Sequence, residues 1–170
     1  MDHSHHEMES TKPANYLPLL VVAVFILGGT AILHSIVPDS DALRTVMFFE
    51  GLMLSFFALF KLLDVKGFQE GYASYDLITK HIPGWGYLYP FVELGLGVLL
   101  LLNCWVHPVS VLVALLAIIG LISVAIELRK DRKIQCACLG TALNVPLTQV
   151  TLVENGIMLV MALIMVFNLI

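Results

Sequence analysis

Five apolar runs, each about as long as a lipid bilayer is thick, dominate this chain and leave few folds open to it. They are Leu17–Val37, Arg44–Leu63, Tyr87–Trp105, Val109–Glu127 and Gln149–Ile170. Each holds roughly 19–22 residues, and about 20 helical residues at 1.5 Å each cross a hydrocarbon core. In a chain of 170 residues, 59% hydrophobic and 13% charged, a soluble domain has no room to hide that much apolar surface, whereas a bilayer does. The sequence therefore predicts an all-α integral membrane protein, a bundle of five transmembrane helices. It divides into a His-rich polar tail (1–16), an amino-terminal helix with its turn (17–43) and a four-helix membrane domain (44–170). The first run reads as a retained helix. The segment before it carries a single Lys among several acids, and no small-residue cleavage pattern follows it.

The basic residues orient the bundle. With five spans and a cytoplasmic amino terminus, Lys12, Lys61, Lys66, Lys80, Arg129, Lys130, Arg132 and Lys133 fall inside and Arg44 alone falls outside. This predicts a multi-pass protein of a bacterial-type inner membrane with its carboxyl terminus outside. The net charge of −4 says little about partners beside that asymmetry. The aromatic residues Trp85, Tyr87, Tyr89 and Trp105 flank the third span, as residues at a membrane interface do. Between spans two and three, Val65, Phe68, Tyr72 and Tyr75 recur three and four residues apart. This spacing predicts a short helix lying in the interface and ended by Pro83-Gly84.

Soft-metal and thiol chemistry are the activities the side chains suggest. The tail opens Met1-Asp2-His3-Ser4-His5-His6-Glu7-Met8. A terminal amine, two amides and His3 can form a square-planar nitrogen site for Cu(II) or Ni(II), while His5, His6 and Met8 also suit Cu(I). These first residues resemble the amino termini of eukaryotic high-affinity copper transporters. In the last cytoplasm-side loop, Cys136-Ala137-Cys138 follows the Arg129–Lys133 cluster. Two thiols one residue apart chelate a soft ion or cycle as a dithiol–disulfide pair, and neighbouring cations favour the thiolate. Cys104 stands alone near the outer end of span three and is read as packing.

Ionisable residues inside a membrane are costly and mark functional sites by default. Glu93 and Glu154 enter their spans from the side that carries Cys136 and Cys138, at similar depth, while Glu50 lies toward the other side. Glu154, Met158, Met161 and Met165 share one helix face. That face is either a stepwise path for a soft cation or ordinary packing by a flexible gap-filler. Gly28, Gly29, Gly51, Gly95, Gly97 and Gly156 are candidates for close helix contact. No phosphate-binding loop, catalytic triad or nucleic-acid-binding basic patch is visible, so no nucleotide cofactor or nucleic-acid partner is indicated and an accessory role is favoured over an enzyme.

The stretches Phe60-Lys61-Leu62-Leu63-Asp64-Val65-Lys66-Gly67-Phe68, Tyr72-Ala73-Ser74-Tyr75-Asp76, Gly86-Tyr87-Leu88-Tyr89-Pro90-Phe91-Val92-Glu93-Leu94-Gly95-Leu96-Gly97 and Cys136-Ala137-Cys138-Leu139-Gly140 resemble the MauE branch of the DoxX-like membrane proteins. The resemblance runs over about Arg44–Ile170. It implies a four-helix core with Glu93, Cys136 and Cys138 as its motif positions, and a helper role in maturing a periplasmic redox enzyme of the methylamine-dehydrogenase type. The sequence thus leaves three roles. The first is copper handling by His3, His5, His6, Met8, Cys136 and Cys138, with Glu93, Glu154, Met158, Met161 and Met165 along a path. The second is thiol–disulfide help through Cys136 and Cys138, and the third is a structural subunit. The copper role is favoured by a small margin, because two clusters of soft or borderline ligands fall on one predicted side. Beyond the bilayer, the corresponding partners are a metal chaperone, a thiol-redox protein, a larger membrane complex or a second copy of the chain.

Overall fold

The computed structural model describes residues 17–82, 84–129 and 147–168. The described residues are helical: α1 Leu17–Ile36, α2 Ala42–Leu63, α3 Val65–Ala73, α4 Leu77–His81, α5 Trp85–Leu101, α6 Val106–Leu128 and α7 Leu147–Asn168. Helices α1, α2, α6 and α7 are long and apolar enough to cross a membrane, and α5 is apolar but has 17 residues. Together they form an all-α integral membrane protein.

Span three is shorter than the sequence suggests. Helix α5 stops at Leu101, and the chain turns sharply through Asn103 (φ 57°) and Trp105 (φ 49°), both left-handed. Asn adopts this region readily, whereas a bulky aromatic there carries backbone strain. Span four, by contrast, starts earlier than expected, at Val106. Pro108 lies in its first turn, where a missing N–H leaves no helical bond unmade.

Helix α2 packs most extensively on α5, and α6 on α7; α1 lies chiefly against α2. The α2–α5 contact is close because Gly51 and Gly97 face each other. A Cβ on Gly51 would come within 2.9 Å of the Gly97 carbonyl, and one on Gly97 within 2.9 Å of the Gly51 carbonyl. Of the other glycines expected at contacts, Gly29 meets Leu52, but Gly28, Gly95 and Gly156 face open space. Gly120 performs that task unannounced, beside Asn155.

The core between these helices is apolar, with Met47, Leu54, Leu100, Val113, Ala117, Met158 and Met165 at its centre. Outward-facing Val24, Phe25, Leu27, Leu115, Val153 and Phe167 are exposed, as side chains solvated by lipid are.

Candidate functional site

The connection between α2 and α5 forms two short helices in place of the single interfacial helix expected. Asp64 caps α3 by accepting the Gly67 N–H at 2.9 Å. Gly67 lies so close that a Cβ would collide with the Asp64 carboxylate. Asp76 caps α4, accepting from the Thr79 N–H at 2.7 Å and from the Thr79 hydroxyl at 2.9 Å. These caps fold the segment inward. Phe68, Tyr72 and Tyr75 are buried with Tyr89 of α5 and Val124 of α6. The face expected at the lipid interface is therefore part of the interior. Tyr89 belongs to this cluster, half-buried Trp85 packs on it at 6.1 Å, and Tyr87 and Trp105 remain on the surface.

At the floor of this aromatic cluster lies Lys61, near the end of α2. It reads in sequence as a cytoplasmic surface charge, yet it is 2% exposed. Its ammonium donates to both oxygens of Glu93 at 2.7 and 2.6 Å and to Glu154 Oε1 at 3.3 Å. The ring centres of Tyr89 and Phe68 lie 5.2 and 5.9 Å from Nζ, within range of a cation–π attraction. Glu93 comes from the third turn of α5 and Glu154 from the third turn of α7. Three helices thus converge on one cation. A buried ammonium is tolerable only with such partners, because desolvating it alone costs several kcal/mol.

Two carboxylates around one ammonium leave more acceptors than donors. Glu154 Oε2 accepts no hydrogen bond from the described residues. Glu50, fully buried on α2, has neither oxygen partnered among them. On the same end of the bundle, Lys80 of α4 donates to Glu127 of α6 at 2.8 Å, and Ser123 of α6 accepts the Leu77 N–H at 3.1 Å. These bonds tie the short helices to the end of α6. Burial pushes the Tyr72 phenol well above its usual value, with Tyr89 and Asp76 adding to the rise.

Of the residues singled out from sequence, Glu93 and Glu154 are brought together at one depth. Met158 and Met165 are buried in the apolar core and Met161 is half-buried. Ser110 of α6 donates to the Met165 sulfur at 3.6 Å. Cys104, expected to pack, is instead an exposed thiol in the α5–α6 turn. His3, His5, His6, Met8, Cys136 and Cys138 lie outside the described residues. Among the described residues no three His, Cys, Asp or Glu side chains gather as metal ligands.

Residues 39–168 match the family described as methylamine utilisation protein MauE. The chain belongs to the MauE family. The match takes in Lys61, Glu93, Glu154, the aromatic cluster and the C-x-C loop, and leaves α1 and the His-rich tail outside it. No match was found among curated proteins or among solved structures.

Proposed function

We propose that this MauE member is a membrane-embedded helper in the maturation of a redox enzyme, acting by thiol–disulfide exchange through Cys136 and Cys138. The family's description connects it with methylamine utilisation. The observation that carries the reading is the Lys61–Glu93–Glu154 cluster, buried at the end of the bundle where α6 ends and α7 begins. In sequence, the two thiols lie between those helices. Thiol exchange is proton chemistry as much as electron chemistry, because each attacking thiol sheds a proton and each leaving thiolate takes one up. A carboxylate cluster with an unpartnered acceptor oxygen is suited to hold protons for such chemistry.

One cysteine thiolate attacks a partner's disulfide, forming a mixed disulfide and releasing the partner's other sulfur as a thiolate, which is protonated. The second cysteine then attacks the mixed disulfide. The products are a Cys136–Cys138 disulfide and a partner dithiol, two electrons having passed to the partner. The reading takes this end as cytoplasmic, which the Lys and Arg distribution favours, and there thiols rest reduced. The resting dithiol is then the electron donor.

The test uses the full chain in its membrane, with Cys136→Ala and Cys138→Ala made singly and together. In the single variants the remaining thiol traps a mixed disulfide that reductant dissolves, and the double variant traps none. The absence of any trapped species, with stoichiometric Cu(I) lost in the double variant and on deletion of residues 1–12, would overturn the reading in favour of copper handling.

A further inference from the structure

The carboxylates buried among the described residues are Glu50, Asp76, Glu93, Glu127 and Glu154. All but Glu50 receive a side-chain donor, Asp76 from Thr79, Glu127 from Lys80, and Glu93 and Glu154 from Lys61. Glu50 is 0% exposed, and neither of its oxygens accepts a hydrogen bond from the described residues. Its neighbour Gly51 meets the Gly97 carbonyl where α2 and α5 come closest, and Glu93 lies about one turn before Gly97. Glu93 acts on Glu50 electrostatically across that contact. Lys61 lies about three turns further along the same face of α2, its ammonium directed to Glu93 and Glu154. The other titratable groups of α2 and of the helices packed on it are engaged elsewhere. Arg44 stacks on Phe48, His34 of α1 binds Thr45, Tyr72 and Tyr89 belong to the aromatic cluster, and Lys66, Glu70 and Tyr87 are exposed.

We infer that Glu50 is a proton-binding site, a neutral carboxylic acid inside the bundle whose proton exchanges with Glu93 of the Lys61 cluster. A carboxylate at this depth without a donor is far costlier to bury than the acid, so the site takes up a proton. A metal ion does not fit in its stead, because among the described residues no three His, Cys, Asp or Glu side chains gather. Of two neighbouring carboxyls, the one without a counter-ion keeps the proton. Lys61 is the counter-ion of Glu93, so it decides that the proton rests on Glu50. In the exchange, the O–H bond of Glu50 breaks and an O–H bond forms on Glu93, and nothing is oxidised or reduced. No cysteine enters the site, so it stands without the thiol reading. Only the use of its proton in thiol exchange, as a reserve one station deeper than the Lys61 cluster, rests on that reading.

The experiment is infrared spectroscopy of the full chain at neutral pH, in a detergent that has no ester groups. A protonated carboxyl shows a C=O stretch well separated from the bands of a carboxylate, and its frequency is highest where the acid has no hydrogen bonds. The unaltered protein is expected to show such a high-frequency acid band. Glu50→Gln should remove it and Glu154→Gln should leave it. In deuterium oxide the band should move to lower frequency as the proton is replaced. Glu93→Gln leaves Glu154 as a partner for Lys61, and there the replacement should be severalfold slower, because the route through Glu93 is cut. A spectrum of the unaltered protein without an acid band would overturn the inference. So would a band that survives Glu50→Gln, or replacement at the same rate in Glu93→Gln as in the unaltered protein. The infrared readout involves no thiol and mixed-disulfide trapping is scored separately, so failure of either reading is recognised without the other.

Discussion

Lys61 and Glu93 form a two-pronged ion pair, with 2.7 and 2.6 Å between the ammonium and the two carboxylate oxygens, at a depth where their side chains are 3% and 1% exposed. The pair fastens α2 to α5, and through Glu154 it also reaches α7. Breaking such a pair from one side is worse than never having made it, because the remaining charge stays buried without a partner. Lys61→Met is therefore expected to cost about 3–5 kcal/mol, read as loss of the folded fraction in thermal unfolding of the detergent-solubilised protein. Lys61→Met combined with Glu93→Met should be less damaging than the sum of the two single changes. Simple additivity would show that the two side chains are not coupled.

Glu50 presents the opposite case. It is completely buried on α2, and neither oxygen meets a donor among the described residues. A buried polar group without a partner typically costs about 1–3 kcal/mol. Glu50→Leu, of similar size, should raise the unfolding temperature. If the temperature falls, Glu50 has a partner that the described residues do not include, and the polar group is worth keeping.

Tyr72 provides a pH signature. Its folded-state phenol lies above the value of about 10 found in an unfolded chain, chiefly through burial. The folded protein therefore holds the phenolic proton more tightly than the unfolded one does. The resulting stability is fully present below about pH 10 and is lost as the pH rises through the folded value. Tyr72→Phe should flatten the fall in unfolding temperature on the alkaline side and change little near neutrality. An alkaline limb of equal slope in both proteins would show that Tyr72 does not control it.

The long helices were legible because hydropathy marks their existence, though not the left-handed turn that ends α5 at Leu101, and Glu93 and Glu154 were legible because a carboxylate in an apolar run has few explanations. Lys61 was not. Two residues from the end of α2, it has the same pattern as a charge reaching back to the interface, and only the inward fold of α3 and α4 seals it off. That fold depends on caps at Asp64 and Asp76, which are visible in sequence as Asp residues opening helices but say nothing of which way the helices lean. The aromatic spacing of Phe68, Tyr72 and Tyr75 marked a helix face correctly and its surroundings wrongly, since periodicity does not distinguish lipid from protein. The glycines show the same limit. Gly97 is pressed against α2 and Gly95 faces open space, although a single residue separates them.

The exposed thiol of Cys104 gives a direct reading of orientation. It lies in the turn between α5 and α6, at the end of α5 opposite Trp85 and so on the opposite side of the bundle from Lys80 and Glu127. In a Cys136→Ala/Cys138→Ala background it is the only cysteine in the chain. With Lys61 counted out as an interior charge, the remaining Lys and Arg still divide seven to one, and a positive-inside arrangement would place this turn outside. A membrane-impermeant maleimide added to intact cells is therefore expected to label Cys104 without permeabilisation. Labelling only after the membrane is opened would reverse the bundle. Cys136 and Cys138 would then face the oxidising side, and their resting form would be the disulfide. The direction of exchange would reverse with it, the protein taking electrons from its partner rather than giving them. One labelling experiment thus decides both which face carries the Lys61 cluster and which way the electrons run.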